Sequence, residues 1–389
     1  MTVVHTARVV GTTADIVRIH AVRDPAVSDV QVTHDGSEQA AREIAVRVRC
    51  ALDARLDARL PVAVTIEGRA SAACDLAVAL AVQAARDGAP APAGLYVGEL
   101  DLSGRLRPVR GVLPMLLAAG DLPYAVVPEG NRVEAETAAR VVRIPIHCAR
   151  TLLDAGFGPK LPRVGEGDIP PSSPYAEAWE EVAHLPQAAK IRALVEAGKP
   201  ILLVGPPGSG KTMVGRRVRT LLGEPTAAEQ LEIATVASAA GLGIPASRPF
   251  RAPHHTVSAG ALVGGGDPVR PGEVTLAHGG VLFLDEVTEL RRDALEQLAQ
   301  AVREGEQGAV RREGGEYRTH WMPAKPSAVI AACNPCPCGR GPADAKGRCT
   351  CSAELRKAYE ARIARVVELF GFERVDLEYV PARRASVGG

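Results

Sequence analysis

The stretch Gly205-Pro-Pro-Gly-Ser-Gly-Lys-Thr212 decides the fold of the second half of the chain. It satisfies the pattern G-x-x-x-x-G-K-[ST] and lies between an apolar run, residues 200–204, and a helical pattern over residues 213–222. Glycines let successive backbone N–H groups turn toward phosphate oxygens, and the following helix adds its positive N-terminal end. The sequence therefore predicts a phosphate-binding loop formed by Gly205, Pro206, Pro207, Gly208, Ser209, Gly210, Lys211 and Thr212. We expect Lys211 to reach the β- and γ-phosphates and Thr212 to ligate Mg²⁺.

A second apolar run, Val281-Leu-Phe-Leu-Asp-Glu286, ends in two acids. The C-terminal end of a buried parallel strand is where α/β sheets bind ligands. We expect Asp285 to hold Mg²⁺ through water and Glu286 to polarise the water that attacks the γ-phosphate. A third apolar run, residues 328–332, leads to Asn334, which can hydrogen-bond that water or the phosphate. The alternative for Asn334 is a turn-forming role before Pro335.

These three runs, separated by helical patterns, predict a parallel α/β sheet from about residue 176 onward and an ATPase of the P-loop class. With 389 residues the chain is long enough for two or three domains. Its 46% hydrophobic and 23% charged residues are typical of soluble proteins, and the net charge of +1 indicates no global attraction to nucleic acid. Without a membrane-length apolar run or a recognisable signal peptide, we expect a cytoplasmic protein and no membrane partner.

The first part of the chain mixes strands and helices. Apolar patterns predict strands over residues 3–10 and 62–66, helices over 38–60 and 75–86, and a strand–turn–strand over 98–106. Residues 1–155 are therefore expected to form an α+β domain. Residues 156–175 are rich in proline and glycine and are expected to form a linker. Residues 176–389 are expected to form the nucleotide-binding core, with a helix over 175–197 at its start.

Five of the eight cysteines crowd into residues 333–351, and in a cytosolic chain such a cluster points to metal. The pairs Cys336/Cys338 and Cys349/Cys351 are separated by a loop able to bend back, so four thiolates can close a tetrahedral zinc site. The alternative is reduced cysteines without metal. Cys333 lies on the third strand and is expected to pack in the core. His254 and His255 are expected to hydrogen-bond rather than to ligate a metal.

Four segments of the second half resemble a known family. They are Arg248-Pro-Phe-Arg-Ala-Pro-His-His-Thr256, Ala261-Leu-Val-Gly-Gly-Gly266, Arg270-Pro-Gly-Glu-Val-Thr-Leu-Ala-His278 and Asn334-Pro-Cys-Pro-Cys-Gly339. The chain from about 180 to 350 resembles the magnesium-chelatase-like AAA+ ATPases of the YifB/ComM group. Residues 1–155 resemble, more weakly, the Lon-protease-like domain that precedes the ATPase in that group, through Gly98-Glu-Leu and Leu106-Arg-Pro-Val-Arg-Gly-Val-Leu-Pro114.

The resemblance implies ring hexamers with ATP bound at subunit interfaces. Lys211, Thr212, Asp285, Glu286 and Asn334 match the Walker A, Walker B and sensor-1 positions. Arg374, in Phe372-Glu-Arg-Val-Asp376, is the candidate arginine finger, although its context departs from the family pattern. The family continues into a helical lid, and because the sequence stops at Gly389 we expect that lid to be missing and hydrolysis to be impaired.

A Lon-type protease needs a serine activated by a lysine. Ser71 falls where the serine would lie, but Leu113 falls where the lysine would lie, and no lysine precedes Lys160. We therefore expect a non-proteolytic domain, with Ser71 in a capping or turn position, that packs on the ring or recruits a protein partner.

The family's β-hairpin before sensor 1 matches residues 304–323, with Gly314-Gly315 as the expected turn. Its basic and aromatic side chains can neutralise phosphates and stack on a base; they are Arg303, Arg311, Arg312, Arg318, His320 and Trp321. The alternative places Trp321 in the core. Because ComM-type proteins are associated with branch migration in natural transformation, we expect a motor acting on DNA. A protein-remodelling subunit of the magnesium-chelatase type, or a truncated nucleotide-binding scaffold, remains the alternative.

Overall fold

Each half of the chain is built around its own sheet. The computed structural model describes residues 2–53, 60–165, 178–313, 316–341 and 349–378. The expected turn Gly314-Gly315 lies outside these residues, as do residues 342–348 of the cysteine loop and residues 166–177 of the expected linker. None of the helices within the described ranges combines the length and apolar character needed to cross a bilayer.

The described residues of the N-terminal half include nine strands: β1 Thr2–Val10, β2 Thr13–Arg23, β3 Gln31–Thr33, β4 Val62–Ile66, β5 Leu95–Tyr96, β6 Glu99–Leu100, β7 Leu106–Arg107, β8 Ala125–Pro128 and β9 Ile146–Ala149. Its helices are α1 Glu38–Asp53, α2 Asp75–Asp87, α3 Val112–Leu117, α4 Arg132–Ala139 and α5 Leu152–Gly156. Seven strands form a mixed sheet in the order β3-β4-β2-β1-β5-β8-β9, and β6 pairs with β7. Helices α1 and α2 cover one face with apolar side chains, which confirms an α+β unit here.

The C-terminal half contains strands β10 Ile201–Val204, β11 Phe250–Arg251, β12 Gly264–Gly265, β13 Arg270–Pro271, β14 Val281–Leu284, β15 Glu306–Glu313, β16 Glu316–Pro323, β17 Ala328–Cys333 and β18 Glu373–Asp376. Its helices are α6 Ala188–Glu196, α7 Lys211–Val218, α8 Ala227–Ala240, α9 Ala259–Val263, α10 Glu273–Leu276, α11 Arg292–Glu304 and α12 Ala353–Phe370. Five strands form a parallel sheet in the order β11-β14-β17-β10-β18, which confirms the α/β prediction and is consistent with an AAA+ core.

Both faces of the five-stranded sheet are buried, as a parallel sheet requires. Successive residues of β14 alternate between the two faces: Leu282 and Leu284 pack with α11 and α12, whereas Val281 and Phe283 pack with α6 and α7. The strand register aligns Val204 with Cys333 and Leu284 with Ala331. The residues that follow β10, β14 and β17 therefore emerge at one edge of the sheet.

The two halves are packed together through α8 and through β15 and β16. Ala234 and Ala239 of α8 lie in the same apolar cluster as Val9 and Leu113 of the N-terminal half. The backbone N–H of Leu113 donates to Ser238 Oγ at 3.2 Å, and Ser238 Oγ donates in turn to a carboxylate oxygen of Glu134. A smaller cluster joins Val10 with Val269, Ala309 and Met322 at the base of the β15–β16 hairpin.

Two expectations differ from the structure, and one helix has no counterpart in the sequence analysis. The helix expected over 175–197 begins only at Ala188, after a 3₁₀ turn at Trp179–Glu181, because Pro186 disfavours helical backbone in the residue before it. Residues 156–165 of the expected linker pack on the N-terminal sheet, where the buried Val164 donates its N–H to Ile146 O at 2.7 Å. Helix α12 was not expected, although its Ser352 N-cap is a recognisable helix start.

Candidate nucleotide site and cysteine cluster

The loop between β10 and α7 is shaped by its glycines. Gly208 and Gly210 adopt φ values of +80° and +86°, a conformation that L side chains rarely take. A Cβ at Gly205 would lie 2.5 Å from Ser209 Oγ and 2.8 Å from Leu377 O, so only glycine fits there. Ser209 Oγ is buried and has no hydrogen-bond partner among the described residues. An unpartnered hydroxyl in a loop of this kind fits a site that binds an oxyanion.

Lys211 begins α7 and turns its ammonium group back along the loop. Its Nζ donates to Gly205 O at 2.6 Å, to Pro206 O at 3.1 Å and to Asn334 Oδ1 at 3.3 Å. Burial lowers the pKa of Lys211, while the Asp285 carboxylate raises it in opposition. The ammonium therefore connects the ends of β10 and β17, the two strands predicted to flank the phosphates.

Thr212 and Asp285 meet across the same edge, with Thr212 Oγ1 donating to Asp285 Oδ2 at 3.1 Å. A hydroxyl and a carboxylate oxygen that converge in this way suit Mg²⁺, which prefers oxygen ligands. Glu286 follows with φ +49°, and it is the sole non-glycine residue with positive φ among the described residues. Backbone strain of this kind costs about 1–3 kcal/mol and clusters at functional sites.

His255 is a site residue whose role the sequence did not assign. Its Nδ1 lies 2.9 Å from Glu286 Oε2, and its ring lies 4.1 Å, centroid to centroid, from that of His254. His254 Nδ1 in turn accepts the N–H of Thr256 at 3.3 Å, so His254 hydrogen-bonds as expected, whereas the contact of His255 is with the carboxylate of Glu286. The sequence holds one indication: the histidines follow β11, the strand beside β14, so their loop leaves the sheet near Glu286.

Arg374 lies apart from this group. It is on β18 at the edge of the sheet, where its guanidinium donates to Glu360 Oε1 at 2.6 Å and to Asp376 Oδ1 at 3.1 Å. None of its hydrogen bonds reaches the phosphate-binding loop or the acids after β14. The structure thus brings together Lys211, Thr212, Asp285, Glu286 and Asn334, and leaves the candidate finger engaged with its own chain.

The four cysteines Cys336, Cys338, Cys349 and Cys351 place their Sγ atoms within 4.8 Å of one another. Cys349 Sγ lies 3.8 Å from that of Cys336 and 3.7 Å from that of Cys338. Tetrahedral zinc with Zn–S bonds of about 2.3 Å separates its sulfurs by roughly 3.8 Å, so the group fits that metal. Cys333 is buried as expected, and its burial raises the pKa of its thiol to about 12.

The cysteine loop also touches the phosphate-binding loop. A Cβ at Gly339 would lie 3.0 Å from the ring of Pro207, so the backbone of Gly339 packs directly on that proline. Cys336 comes two residues after Asn334. A metal bound by the cysteines would therefore hold a segment that contacts the nucleotide site at two points.

The β15–β16 hairpin has one packed and one open face. The register places Trp321 opposite Gly308 and Tyr317 opposite Arg312 on the same face. Trp321 is 53% exposed and Tyr317 is 77% exposed, so the alternative that buries Trp321 in the core is wrong. Gly308 makes room for the indole, because a Cβ there would lie 3.0 Å from the ring.

In the N-terminal half, Ser71 is exposed and precedes a 3₁₀ turn at Ala72–Cys74, with no capping hydrogen bond from its side chain. Leu113 is fully buried in an apolar cluster. No lysine of the chain precedes Lys160, so the residues around Ser71 include no ammonium group from this half.

Comparison with known proteins places the chain in a family. A family model for magnesium chelatase, subunit ChlI, matches residues 179–385, and a second, for subunit ChlI of Mg-chelatase, matches residues 36–131. An uncharacterised protein of Mycobacterium tuberculosis is 38% identical over 319 residues, which cover 78% of this chain and 60% of that protein.

Competence protein ComM of Haemophilus influenzae is 36% identical over 281 residues, covering 68% of this chain and 54% of ComM. The uncharacterised protein YifB of Escherichia coli is 39% identical over 164 residues, covering 41% of this chain and 31% of YifB. The chain spans about 60% of the length of the mycobacterial relative. On these matches, the chain belongs to the magnesium chelatase ChlI family and, within it, to the group that includes YifB and ComM.

Proposed function

We propose that the chain binds ATP with Mg²⁺ at the edge formed by β10, β14 and β17 and hydrolyses it. The observation that carries the proposal is that Lys211 hydrogen-bonds Asn334, and Thr212 hydrogen-bonds Asp285, at the same edge of the sheet. These side chains come from three strand ends that are far apart in sequence. An ammonium group, an amide and two oxygen ligands at one edge suit a Mg-nucleotide better than any other ligand class.

Each residue has a distinct part in this mechanism. The Lys211 ammonium would exchange its contacts with the carbonyls of Gly205 and Pro206 for phosphate oxygens. Mg²⁺, held by Thr212 and by Asp285 through water, would neutralise developing charge on the phosphates. Glu286 would accept the proton of the attacking water, and Asn334 would fix that water or the γ-phosphate.

The proposed motor is a ring hexamer with ATP at its subunit interfaces, as the family implies. In that assembly Arg374 is the proposed finger toward a neighbouring subunit, and it would first have to release Glu360 and Asp376. We also propose the domain division 1–155, 156–175 and 176–389, a zinc ion on the four cysteines, and a Lon-like, non-proteolytic N-terminal domain that meets a protein partner.

DNA is the proposed substrate. The open face of the β15–β16 hairpin carries two exposed aromatic rings, Trp321 and Tyr317, beside the guanidinium of Arg312. Stacking of bases on aromatic side chains and neutralisation of phosphates are the two contacts that single strands use most. A relative that is 36% identical to this chain over 281 residues is named competence protein ComM.

The test is ATP hydrolysis by the purified chain with no DNA, with single-stranded DNA and with branched DNA. Glu286→Gln should abolish hydrolysis while ADP still binds, and Glu289→Gln, an exposed acid three residues away, should leave the rate unchanged. Trp321→Ala should reduce the stimulation of hydrolysis by DNA but not the basal rate. Leu102→Ala, which also removes an exposed apolar side chain, should change neither the stimulation nor the basal rate.

Equal hydrolysis by wild type and Glu286→Gln would refute the assignment of the water-activating residue. Hydrolysis that responds to a protein partner and not to DNA would refute the DNA proposal and favour a protein-remodelling subunit. Absence of any nucleotide binding would refute the ATPase proposal itself.

A further inference from the structure

A cavity of about 1030 Å³ lies between the two halves of the chain. Residues 69–73, which include Ser71, form one wall, and residues 267–269 and Arg311–Arg312 of the ATPase half form the opposite wall. The residues around Ser71 thus face a space that the second half closes. Because the proteolytic dyad cannot form, this cavity has no function in the scheme above.

The charged residues that line the cavity differ in whether they have an ion-pair partner. Arg8 forms an ion pair with Asp15 at 3.2 Å, and Arg69 forms one with Asp267, so these charges are compensated. Arg110 and Arg312 also line the cavity, and the side chain of neither makes a hydrogen bond or ion pair with the described residues. Two further acids, Asp35 and Glu99, lie on the N-terminal wall.

Arg110 is the informative residue because it is half-buried. Its stem packs on Gly241 at the end of α8, and the nearest charge that acts on its guanidinium is that of another arginine, Arg270 of β13. Burial and the positive charge of Arg270 both lower the pKa of Arg110. A half-buried guanidinium that has no carboxylate partner and is subject to the charge of a second arginine is a favourable place for an anion.

Several other buried or half-buried arginines among the described residues have a carboxylate partner within 3.2 Å: Arg47 with Asp75, Arg217 with Glu181, Arg248 with Glu229 and Arg251 with Glu273. Arg311, next to the cavity, donates to the backbone carbonyls of Gly266 and Val310 and keeps its charge available. Arg110, Arg270, Arg311 and Arg312 therefore form a basic cluster in which, among the described residues, no guanidinium is hydrogen-bonded to a carboxylate; the nearby Asp267 acts on Arg311 but forms its ion pair with Arg69.

We propose that this basic cluster, at the junction of the two halves, binds the phosphodiester backbone of a single-stranded DNA segment that continues from the open face of the β15–β16 hairpin. The inference rests on the proposed DNA function. Arg312 belongs to both surfaces, since it lines the cavity and lies opposite Tyr317 on the hairpin. The N-terminal domain would then contribute to the DNA path through Arg110, in the cavity where a protease would hold its peptide.

The test is fluorescence anisotropy of a labelled oligothymidylate with the full chain, ADP and Mg²⁺ being present so that the nucleotide site is filled. Arg110→Gln and Arg270→Gln are each expected to weaken binding about fivefold and to reduce the slope of log K against log salt by about 0.7. The matched control is Arg42→Gln, which removes an exposed arginine of α1. Arg270 is exposed, so that variant tests the cluster even if Arg110→Gln unfolds.

The outcomes separate this inference from the proposed function. If Trp321→Ala weakens binding while Arg110→Gln and Arg270→Gln behave like Arg42→Gln, the basic cluster is not a DNA site and the hairpin proposal stands. If wild type binds no oligothymidylate, both fail. If a polyglutamate peptide binds in an Arg110-dependent manner and oligothymidylate does not, the cluster serves an acidic protein partner and the inference is overturned.

Discussion

His255 Nδ1 lies 2.9 Å from Oε2 of Glu286, so the segment after β11 directly contacts the carboxylate proposed to activate water. That carboxylate belongs to a residue with strained backbone, and a second contact is needed to fix its direction. His255→Ala is therefore expected to lower kcat for ATP about tenfold with little change in KM. Steady-state kinetics measures both constants.

The matched control for this prediction is His254→Ala. His254 is the sequence neighbour of His255 and bonds only within its own loop, to Thr256. A loss of kcat in His254→Ala equal to that in His255→Ala would mean that the loop, rather than the contact with Glu286, is what matters.

Lys211→Ala should weaken ADP binding by at least about tenfold, because a charged hydrogen bond to a phosphate is worth about 1.5–3 kcal/mol. Isothermal titration calorimetry with ADP and Mg²⁺ measures the change. Lys199→Ala removes an exposed lysine just before β10 and should bind as wild type does. Unchanged affinity in Lys211→Ala would place the nucleotide elsewhere.

The purified chain should contain one zinc ion per molecule, measured by elemental analysis. Cys338→Ser should lose that zinc, because three thiolates and a hydroxyl bind the ion far less tightly than four thiolates. Cys50→Ser, a change outside the cluster, should retain it. Because Gly339 packs on Pro207, Cys338→Ser should also weaken ADP binding. Zinc-free wild-type protein with full ADP affinity would contradict both expectations.

Arg47→Met should destabilise the N-terminal half by about 3–5 kcal/mol near neutral pH, because it leaves the fully buried carboxylate of Asp75 without its partner. Burial raises the pKa of Asp75 to about 6, against the opposing effect of Arg47. Since the folded pKa exceeds the unfolded value of about 4, the associated stability is present below about pH 4 and is lost as the pH rises through about 6.

The loss in Arg47→Met should accordingly be smaller at about pH 5 than at about pH 8, where Asp75 must carry its charge. Urea unfolding at the two pH values measures it. Arg42→Met, which breaks an exposed ion pair on the same helix, should change stability by less than about 1 kcal/mol at either pH. A pH-independent loss in Arg47→Met would mean that packing of the arginine stem, rather than its charge, is what stabilises Asp75.

The central strands could be predicted because their sequences are short apolar runs. Val281–Leu284 and Ala328–Cys333 are buried on both faces, and such strands show continuous apolar residues. The prediction of a helix over 175–197 was wrong because it relied on the spacing of apolar residues and did not take the local effect of Pro186 into account. The packing of residues 156–165 on the first sheet depends on partners such as Ile146, which composition alone does not reveal.

Some residues of the candidate site could also be predicted from the sequence, and others could not. Lys211, Thr212 and Asp285 could be predicted because the chemistry of phosphate binding fixes residue types at set spacings. The contact between His255 and Glu286 could not be predicted, because the sequence does not show how a loop that contains two histidines is placed relative to the end of a later strand. The basic cluster around Arg110 was also missed, because its members come from both halves and meet only through the packing of α8 and β13.

The contact at the base of the β15–β16 hairpin constrains how the two halves can vary. Gly11, in the turn between β1 and β2, has φ +63°, and a Cβ there would lie 2.9 Å from Met322 Cγ. The turn at Gly11 in the N-terminal half thus packs closely against the side chain of Met322 in the C-terminal half. A chimaera that joins this N-terminal half to the ATPase of a relative would therefore need a residue at position 322 that fits against this turn.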